Sequence, residues 1–237
     1  MTVAIDGPRL PAAGGKARQL VVLVHGYGAD GDDLIELGAQ WRTMLPDAAF
    51  VAPHAPGRIP GFPPGMMGGR QWFALDTYDP DLLRRDPHHT AQVFAAMQRA
   101  AERAAPALER FVDDELGRLG LGPADLALVG FSQGTMMALH VGLRRDPALA
   151  AILGYSGALL GGEGLKRQIR ARPPVLLIHG DADEIVPIEA MHAALDALGQ
   201  AGIPVRHHVS RGLGHGIDGQ GLALGGAFLA ESFARNR

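Results

Sequence analysis

Five short apolar runs recur along the chain with almost no polar alternation: Leu20–Val24, Ala48–Ala52, Leu126–Val129, Ala150–Leu153 and Val175–Ile178. A strand wetted on one face alternates polar and apolar residues. A strand covered on both faces does not, so these runs read as members of a parallel sheet. Val205–Val209 is a weaker sixth. Stretches with helical spacing lie between them: Asp32–Leu45, Thr90–Leu119, Gln133–Arg145, Pro187–Gln200 and Gly219–Ala234. Pro106 stands inside the second stretch, where its ring is expected to kink the segment or open a new helix. The alternation predicts an α/β fold: an open, doubly wound, mostly parallel sheet with helices on both faces. Thr2–Ile5 is expected to form an antiparallel edge strand beside Gln19–Val24.

The rhythm fails between Pro53 and Pro87, where Pro and Gly are frequent and no period holds. An irregular segment of that length is usually functional or disordered. Residues 1–237 otherwise read as a single domain without repeat or linker. Hydrophobic residues make up 47% and charged residues 20%, which excludes disorder as the general state. A formal net charge of −3 argues against general nucleic-acid binding, which needs a basic surface. The pairs Arg84-Arg85 and Arg144-Arg145 fit solvated helix faces or turns. The chain has no cysteine, so disulfides, thiolate zinc sites and a cysteine nucleophile are excluded. Met1–Pro11 has no basic segment followed by a long apolar run, and no apolar string approaches a membrane span. A cytoplasmic protein with no stable membrane insertion is expected.

One motif carries chemistry. Gly130-Phe131-Ser132-Gln133-Gly134 follows the strand Leu126–Val129 and opens the next helix, the context of a G-x-S-x-G elbow. A serine on such a bend takes a strained backbone conformation that lifts its hydroxyl above the sheet edge. Glycines two residues away on either side remove the side chains that would collide. With four serines and 33 glycines, chance placement yields on the order of 0.08 such matches. Ser156, in Gly154-Tyr155-Ser156-Gly157-Ala158, lacks the second flanking glycine and reads as a serine at a pocket edge.

A serine nucleophile needs a base, and the base an orienting carboxylate, in the chain order Ser, acid, His. Of ten histidines, His215 suits best: it lies in Gly212-Leu213-Gly214-His215-Gly216, beyond the last strand and before the final helix. His207 and His208 lie within the sixth strand, and His140 and His192 on helices. His88 and His89 fall in the irregular region, and His179 reads as a structural hydrogen-bonding residue. Asp183 is the preferred acid, in the loop after the fifth strand. Asp181 and Glu184 compete, with Asp181 suited to capping the turn.

The first strand runs into His25-Gly26-Tyr27-Gly28-Ala29-Asp30-Gly31-Asp32-Asp33. Backbone N–H groups of Tyr27 and Gln133 are the candidate oxyanion donors. The acidic residues suggest a calcium loop, but no glutamate falls at the twelfth position counted from Asp30, so no metal site is assigned. Asp32 is expected to cap the following helix. Met66, Met67, Trp72, Phe73 and Leu75 are candidate lining for an apolar acyl site.

These motifs resemble the phospholipase/carboxylesterase family of α/β-hydrolases, whose best-known members are acyl-protein thioesterases. The likeness rests on Val24-His25-Gly26-Tyr27-Gly28, Trp72-Phe73, Gly130-Phe131-Ser132-Gln133-Gly134, His179-Gly180-Asp181-Ala182-Asp183 with Val186-Pro187, and Gly212-Leu213-Gly214-His215. It implies a Ser132–Asp183–His215 triad, oxyanion donors on Tyr27 and Gln133, and Trp72 and Phe73 near the acyl or alcohol pocket. It also implies no cofactor, and as substrates short- to medium-chain carboxylic esters, thioesters or lysophospholipids. Thr135 departs from the pattern, since many members have another glycine there. The stretch Arg58–Gly69 looks longer than in compact eukaryotic members, which favours a bacterial carboxylesterase over a dedicated acyl-protein thioesterase. A small-molecule ester is the expected partner, with the oligomeric state left open, a homodimer included.

Other readings are a peptidase or dienelactone-type hydrolase on the same scaffold, and a non-catalytic binding protein. The first lacks a marked site for a peptide amine. The second commonly uses a cysteine. The third is expected to have lost a triad member, and here all three positions are filled.

Overall fold

The structure, a computed structural model, describes residues 3–63, 68–75, 79, 87–161 and 164–235. Its strands are β1 (Arg9–Leu10), β2 (Gln19–Val24), β3 (Ala48–Val51), β4 (Gly57–Arg58), β5 (Arg70–Gln71), β6 (Leu126–Phe131), β7 (Ala151–Tyr155), β8 (Val175–Gly180) and β9 (Val205–Ser210). Seven of them form one sheet in the order β1-β3-β2-β6-β7-β8-β9, and β4 and β5 form a small antiparallel pair. Within the large sheet only the β1–β3 pair is antiparallel. The helices are α1 (Gly31–Trp41), α2 (Pro87–Leu119), α3 (Gln133–Gly142), α4 (Leu165–Gln168), α5 (Glu189–Gln200) and α6 (Gly219–Ala234).

The apolar runs behave as two-faced strands must, because successive side chains point to opposite sides. Val22, Leu128, Ile152 and Leu177 pack on one face with residues of α2, α3 and α5. Their neighbours Val21, Leu23, Val129, Leu153 and Ile178 pack on the other face with α1 and α6. Every residue of α3 is buried, so this helix has no polar face to define it. Chain order reverses at β2: the next strand, β3, is added on one side, and the later β6 on the other. In open α/β sheets such a switch point leaves a crevice at the carboxyl ends of the two strands, where ligands bind. The loops holding Tyr27 and Ser132 leave those two ends.

Four expectations change. The edge strand is Arg9–Leu10 on β3, not Thr2–Ile5 on β2, because β2 is paired on both sides with β3 and β6. The preceding residues instead bond the exit of β3, with Ala52 N–H donating to Pro8 O and His54 N–H to Asp6 O. The helix α2 runs unbroken through Pro106. That ring lies on the exposed side of the helix, where water can serve the carbonyl it leaves unpaired. The same helix starts at Pro87, a favoured first-turn residue, so His88 and His89 belong to a helix and not to the irregular segment. The 53–87 segment is also not wholly irregular, since it contains β4 and β5. Among the described residues no helix is long and apolar enough to cross a membrane.

His140 sits on α3, 3% exposed, with its Nδ1 unpaired among the described residues. Burial, helped by the nearby Arg144 charge, pushes this imidazole down to about 4. An unfolded chain binds the proton near 6.5, so between that pH and about 4 the unfolded state takes up a proton the fold refuses. Stability is therefore lost as pH falls through this window, by about 2 kcal/mol at pH 5. We expect His140→Leu to flatten that dependence when urea unfolding is compared at pH 7.5 and pH 5. An unchanged slope would remove His140 as its source.

Candidate active site

The elbow is built by crowding. Ser132 has φ 55° and ψ −118°, outside the ordinary regions for an L-residue. A Cβ added to Gly134 would lie 1.7 Å from Val24 O, and one on Gly130 would lie 2.3 Å from Thr135 N. A side chain at Gly134 would push α3 away from the end of β2, and one at Gly130 would push it away from β6. The bend is then stitched to the neighbouring strand: Ser132 N–H donates to Tyr155 O at 2.9 Å, and the buried Thr135 hydroxyl lies 2.8 Å from both Gly130 O and Tyr155 O. The threonine that departs from the family pattern thus supplies a tie that a glycine cannot. Tyr155 reaches across to α6, donating from its hydroxyl to Gly221 O at 3.1 Å.

Asp183 and His215 meet although far apart in sequence. His215 Nδ1 donates to Asp183 Oδ2 at 2.8 Å. The other carboxylate oxygen accepts from the N–H groups of Ile185 (2.9 Å) and Val186 (2.8 Å). His179 Nε2 lies 2.8 Å from Val186 O and 3.3 Å from Asp183 Oδ2, so it faces two acceptors and carries the proton. Burial opposes ionisation of Asp183, but the hydrogen bonds from His179, His215 and the Val186 N–H outweigh it and hold the carboxyl well below the usual carboxylate range. Asp181 Oδ1 accepts from Gly212 N–H at 2.6 Å, a bond to the loop after β9 rather than the local turn bond expected of it.

His215 arrives at the elbow through Phe131, the residue before Ser132; the two ring centroids are 4.9 Å apart. Among the described residues no hydrogen bond joins Ser132 Oγ to the ring. Ser156 has a positive φ of 45°, and its hydroxyl faces Gly216 O at 3.4 Å, next to His215. It is buried and borders the histidine loop.

The two candidate oxyanion donors flank the same bend. The Gln133 N–H opens α3, where the first N–H groups lack helical partners. Gly26, beside Tyr27, is so near the elbow that its Cβ would lie 3.3 Å from Ser132 Cβ. His25 is fully buried beneath: its Nδ1 donates to Gly26 O (2.8 Å) and its Nε2 accepts from Ala55 N–H (2.9 Å). Burial pushes its pKa down to about 4, consistent with this neutral form.

Asp30, not Asp32, caps α1. Asp30 Oδ1 accepts from the N–H groups of Asp32 and Asp33, while Asp33 returns a bond to Asp30 N–H. A residue capping a helix must precede its first turn, and the turn begins at Gly31. Asp30, Asp32 and His54 place ligand-type atoms within 4.8 Å of one another. Both Asp30 oxygens already serve backbone N–H groups, those of Asp32 and Asp33 on one side and Gly68 on the other, and His54 Nδ1 accepts from Gly31 N–H, so Asp30 and His54 fix the loop.

Trp72 and Phe73 are 3% and 6% exposed and pack in the core beside α2, with Leu75 partly buried against them. Met66 and Met67 lie outside the described residues. A cavity of about 280 Å³ adjoins the acid loop. Its lining by Asp181, Asp183, Glu184 and Glu189 is too acidic to suit an acyl chain. The feature that sequence reading missed is the Gln133 side chain, whose carboxamide grips the backbone at Trp72 and Phe73. Nothing in a G-x-S-x-G pattern marks the variable position as a clamp.

The Thr135 tie yields a direct test. Thr135→Val keeps the shape but leaves buried carbonyls short of a donor, which should cost about 1–3 kcal/mol in urea unfolding. Thr135→Ser should retain most of that stability. Equal losses in the two variants would mean the hydroxyl contributes nothing.

Residues 6–232 match the family described as Phospholipase/Carboxylesterase. The chain is 29% identical to Esterase YpfH of Escherichia coli K12 over 207 residues, covering 87% of this chain and 79% of that one. It is 27% identical to acyl-protein thioesterase 1 of Gibberella zeae over 216 residues, 88% of each. The solved structure of esterase PE8 superposes with a TM-score of 0.85 at 48% identity, covering 97% of this chain and 99% of that one. SOBER1 of Arabidopsis thaliana shares the fold, with a TM-score of 0.75 at 23% identity over 91% of this chain and 99% of that one. A match that spans nearly the whole chain, on a sheet with the topology and elbow just described, means that the chain belongs to the phospholipase/carboxylesterase family and is a serine hydrolase of the α/β-hydrolase fold.

Proposed function

We propose that the protein hydrolyses short- to medium-chain carboxylic esters of small molecules, in the cytoplasm, through Ser132, His215 and Asp183. One observation carries the reading: a carboxylate held ionised bonds Nδ1 of the imidazole whose ring lies against the nucleophile elbow. With Nδ1–H fixed on Asp183, the other ring nitrogen is left as the base, the tautomer a serine nucleophile requires. The Ser132–His215 hydrogen bond forms when substrate enters, since catalytic bonds are often long or unmade in the free enzyme.

In the reaction Ser132 Oγ attacks the acyl carbon while His215 Nε2 takes its proton. The carbonyl π electrons move to oxygen, and the N–H groups of Tyr27 and Gln133 stabilise that charge. Collapse of the tetrahedral species breaks the bond to the leaving oxygen, which takes the proton from His215. Water then adds to the acyl-enzyme by the same route, releasing the acid and restoring Ser132. Asp183 stays ionised throughout and stabilises the imidazolium. Likeness to proteins named acyl-protein thioesterase supports thioesters as a second class, since a thiolate leaves from the same intermediate.

A fluorophosphonate should form an adduct on Ser132, and Ser132→Ala should lower ester turnover by about 10⁴-fold or more with little change in melting temperature. Asp183→Asn should lower kcat by a factor on the order of 10⁴ through loss of the correct tautomer. A series of ester and thioester chain lengths, with an amide control, defines the substrate class. Undiminished turnover by a folded Ser132→Ala protein would end this reading.

A further inference from the structure

The oxyanion donors proposed above come from two separate loops, after β2 and after β6. A hydrogen-bonding arrangement for an oxyanion is only as good as the fixed distance between its two donors. The segment from Gly68 to Phe73 touches both loops. At one end it pairs with the loop of Tyr27: Gly28 N–H donates to Arg70 O (2.9 Å), Gly69 N–H to Gly28 O (2.7 Å), and Arg70 N–H to Ala29 O (3.2 Å). Gly68 N–H also donates to Asp30 Oδ2 at 2.7 Å. At the other end it is gripped by the side chain of Gln133. The Gln133 Oε1 accepts from Trp72 N–H at 2.8 Å, and its Nε2 donates to Phe73 O at 2.8 Å. Gln133 is fully buried, and the Trp72 indole N–H adds a bond to His25 O at 3.0 Å.

We propose that Gln133 has two separate tasks: its N–H is one oxyanion donor, and its carboxamide is a positioning group that, through residues 68–73, fixes where the Tyr27 N–H stands. This inference rests on the serine-esterase reading above. A carboxamide offers one acceptor and one donor, and both are needed here. A glutamate of the same shape still accepts from Trp72 N–H but sets a carboxylate against Phe73 O. A protonated glutamic acid restores the donor, and burial favours that neutral form. A merely structural glutamine would change stability without separating the transition state from the ground state.

The experiment compares wild type, Gln133→Glu and Trp72→Phe. It measures kcat and KM on a chromogenic ester, and inhibition by an alkyl trifluoromethyl ketone, whose serine adduct bears an oxyanion. At pH 8 we expect Gln133→Glu to lose between about tenfold and a hundredfold in kcat, with KM within about threefold. Ketone affinity should fall by a similar factor, and the deficit relative to wild type should narrow as pH is lowered. Trp72→Phe, which removes only the indole bond to His25 O and leaves both Gln133 bonds in place, should show the same separation at several-fold size. If Gln133→Glu does not fold, Gln133→Met, which keeps the backbone N–H and removes both carboxamide bonds, decides the matter. Wild-type kcat and ketone affinity in the folded variants would overturn the positioning role. So would a loss of kcat without loss of ketone affinity. Absence of a fluorophosphonate adduct on wild-type Ser132 would instead remove the serine reading itself.

Discussion

The approach of α3 to the end of β2 leaves no space for a Cβ at Gly134, where Val24 O would be overlapped outright. Much of the site geometry follows from that contact. It forces the chain through Ser132 at a positive φ, since no gentler bend brings the helix so close. It aims the N–H groups of the first helical turn at the crevice between β2 and β6. It also brings the Gln133 side chain within reach of Trp72 and Phe73, 60 residues earlier in the chain. A helix buried on all sides suits this arrangement, because nothing on it competes for water and pulls it outward.

The acid end follows a different logic. Asp183 is withdrawn from solvent, which by itself would favour its neutral form. Two N–H groups and two imidazoles reverse that preference. His179, by bonding Val186 O and facing the carboxylate, closes the loop around Asp183. The charge that orients His215 is thus set by backbone geometry at the end of β8, before any substrate binds.

The frame was legible in the sequence because strands buried on both faces and the helices between them leave periodic signatures. The last helix has the bounds read from the pattern, Gly219–Ala234. The nucleophile, acid and base candidates were legible because each stands at a strand end beside glycine or acidic residues. What failed were features with no period. The edge strand at Arg9–Leu10 is two residues long and depends on which side of β3 is open. The cap on α1 shifted from Asp32 to Asp30 because two aspartates and a glycine offered equivalent starts. Trp72 and Phe73 looked like pocket lining by their chemistry, but their side chains fill the core and their backbones serve Gln133. Bonds from side chain to distant backbone leave no trace in local composition.

Tyr155 has a consequence of a different kind. Its carbonyl holds the Ser132 bend, and its hydroxyl holds α6. A Cβ on Gly225, on that helix, would fall 2.1 Å from the phenol oxygen. A side chain at Gly225 would therefore displace the phenol of the residue whose carbonyl holds the Ser132 bend. Changes along that turn of α6 are thus transmitted to the Ser132 bend through a single tyrosine.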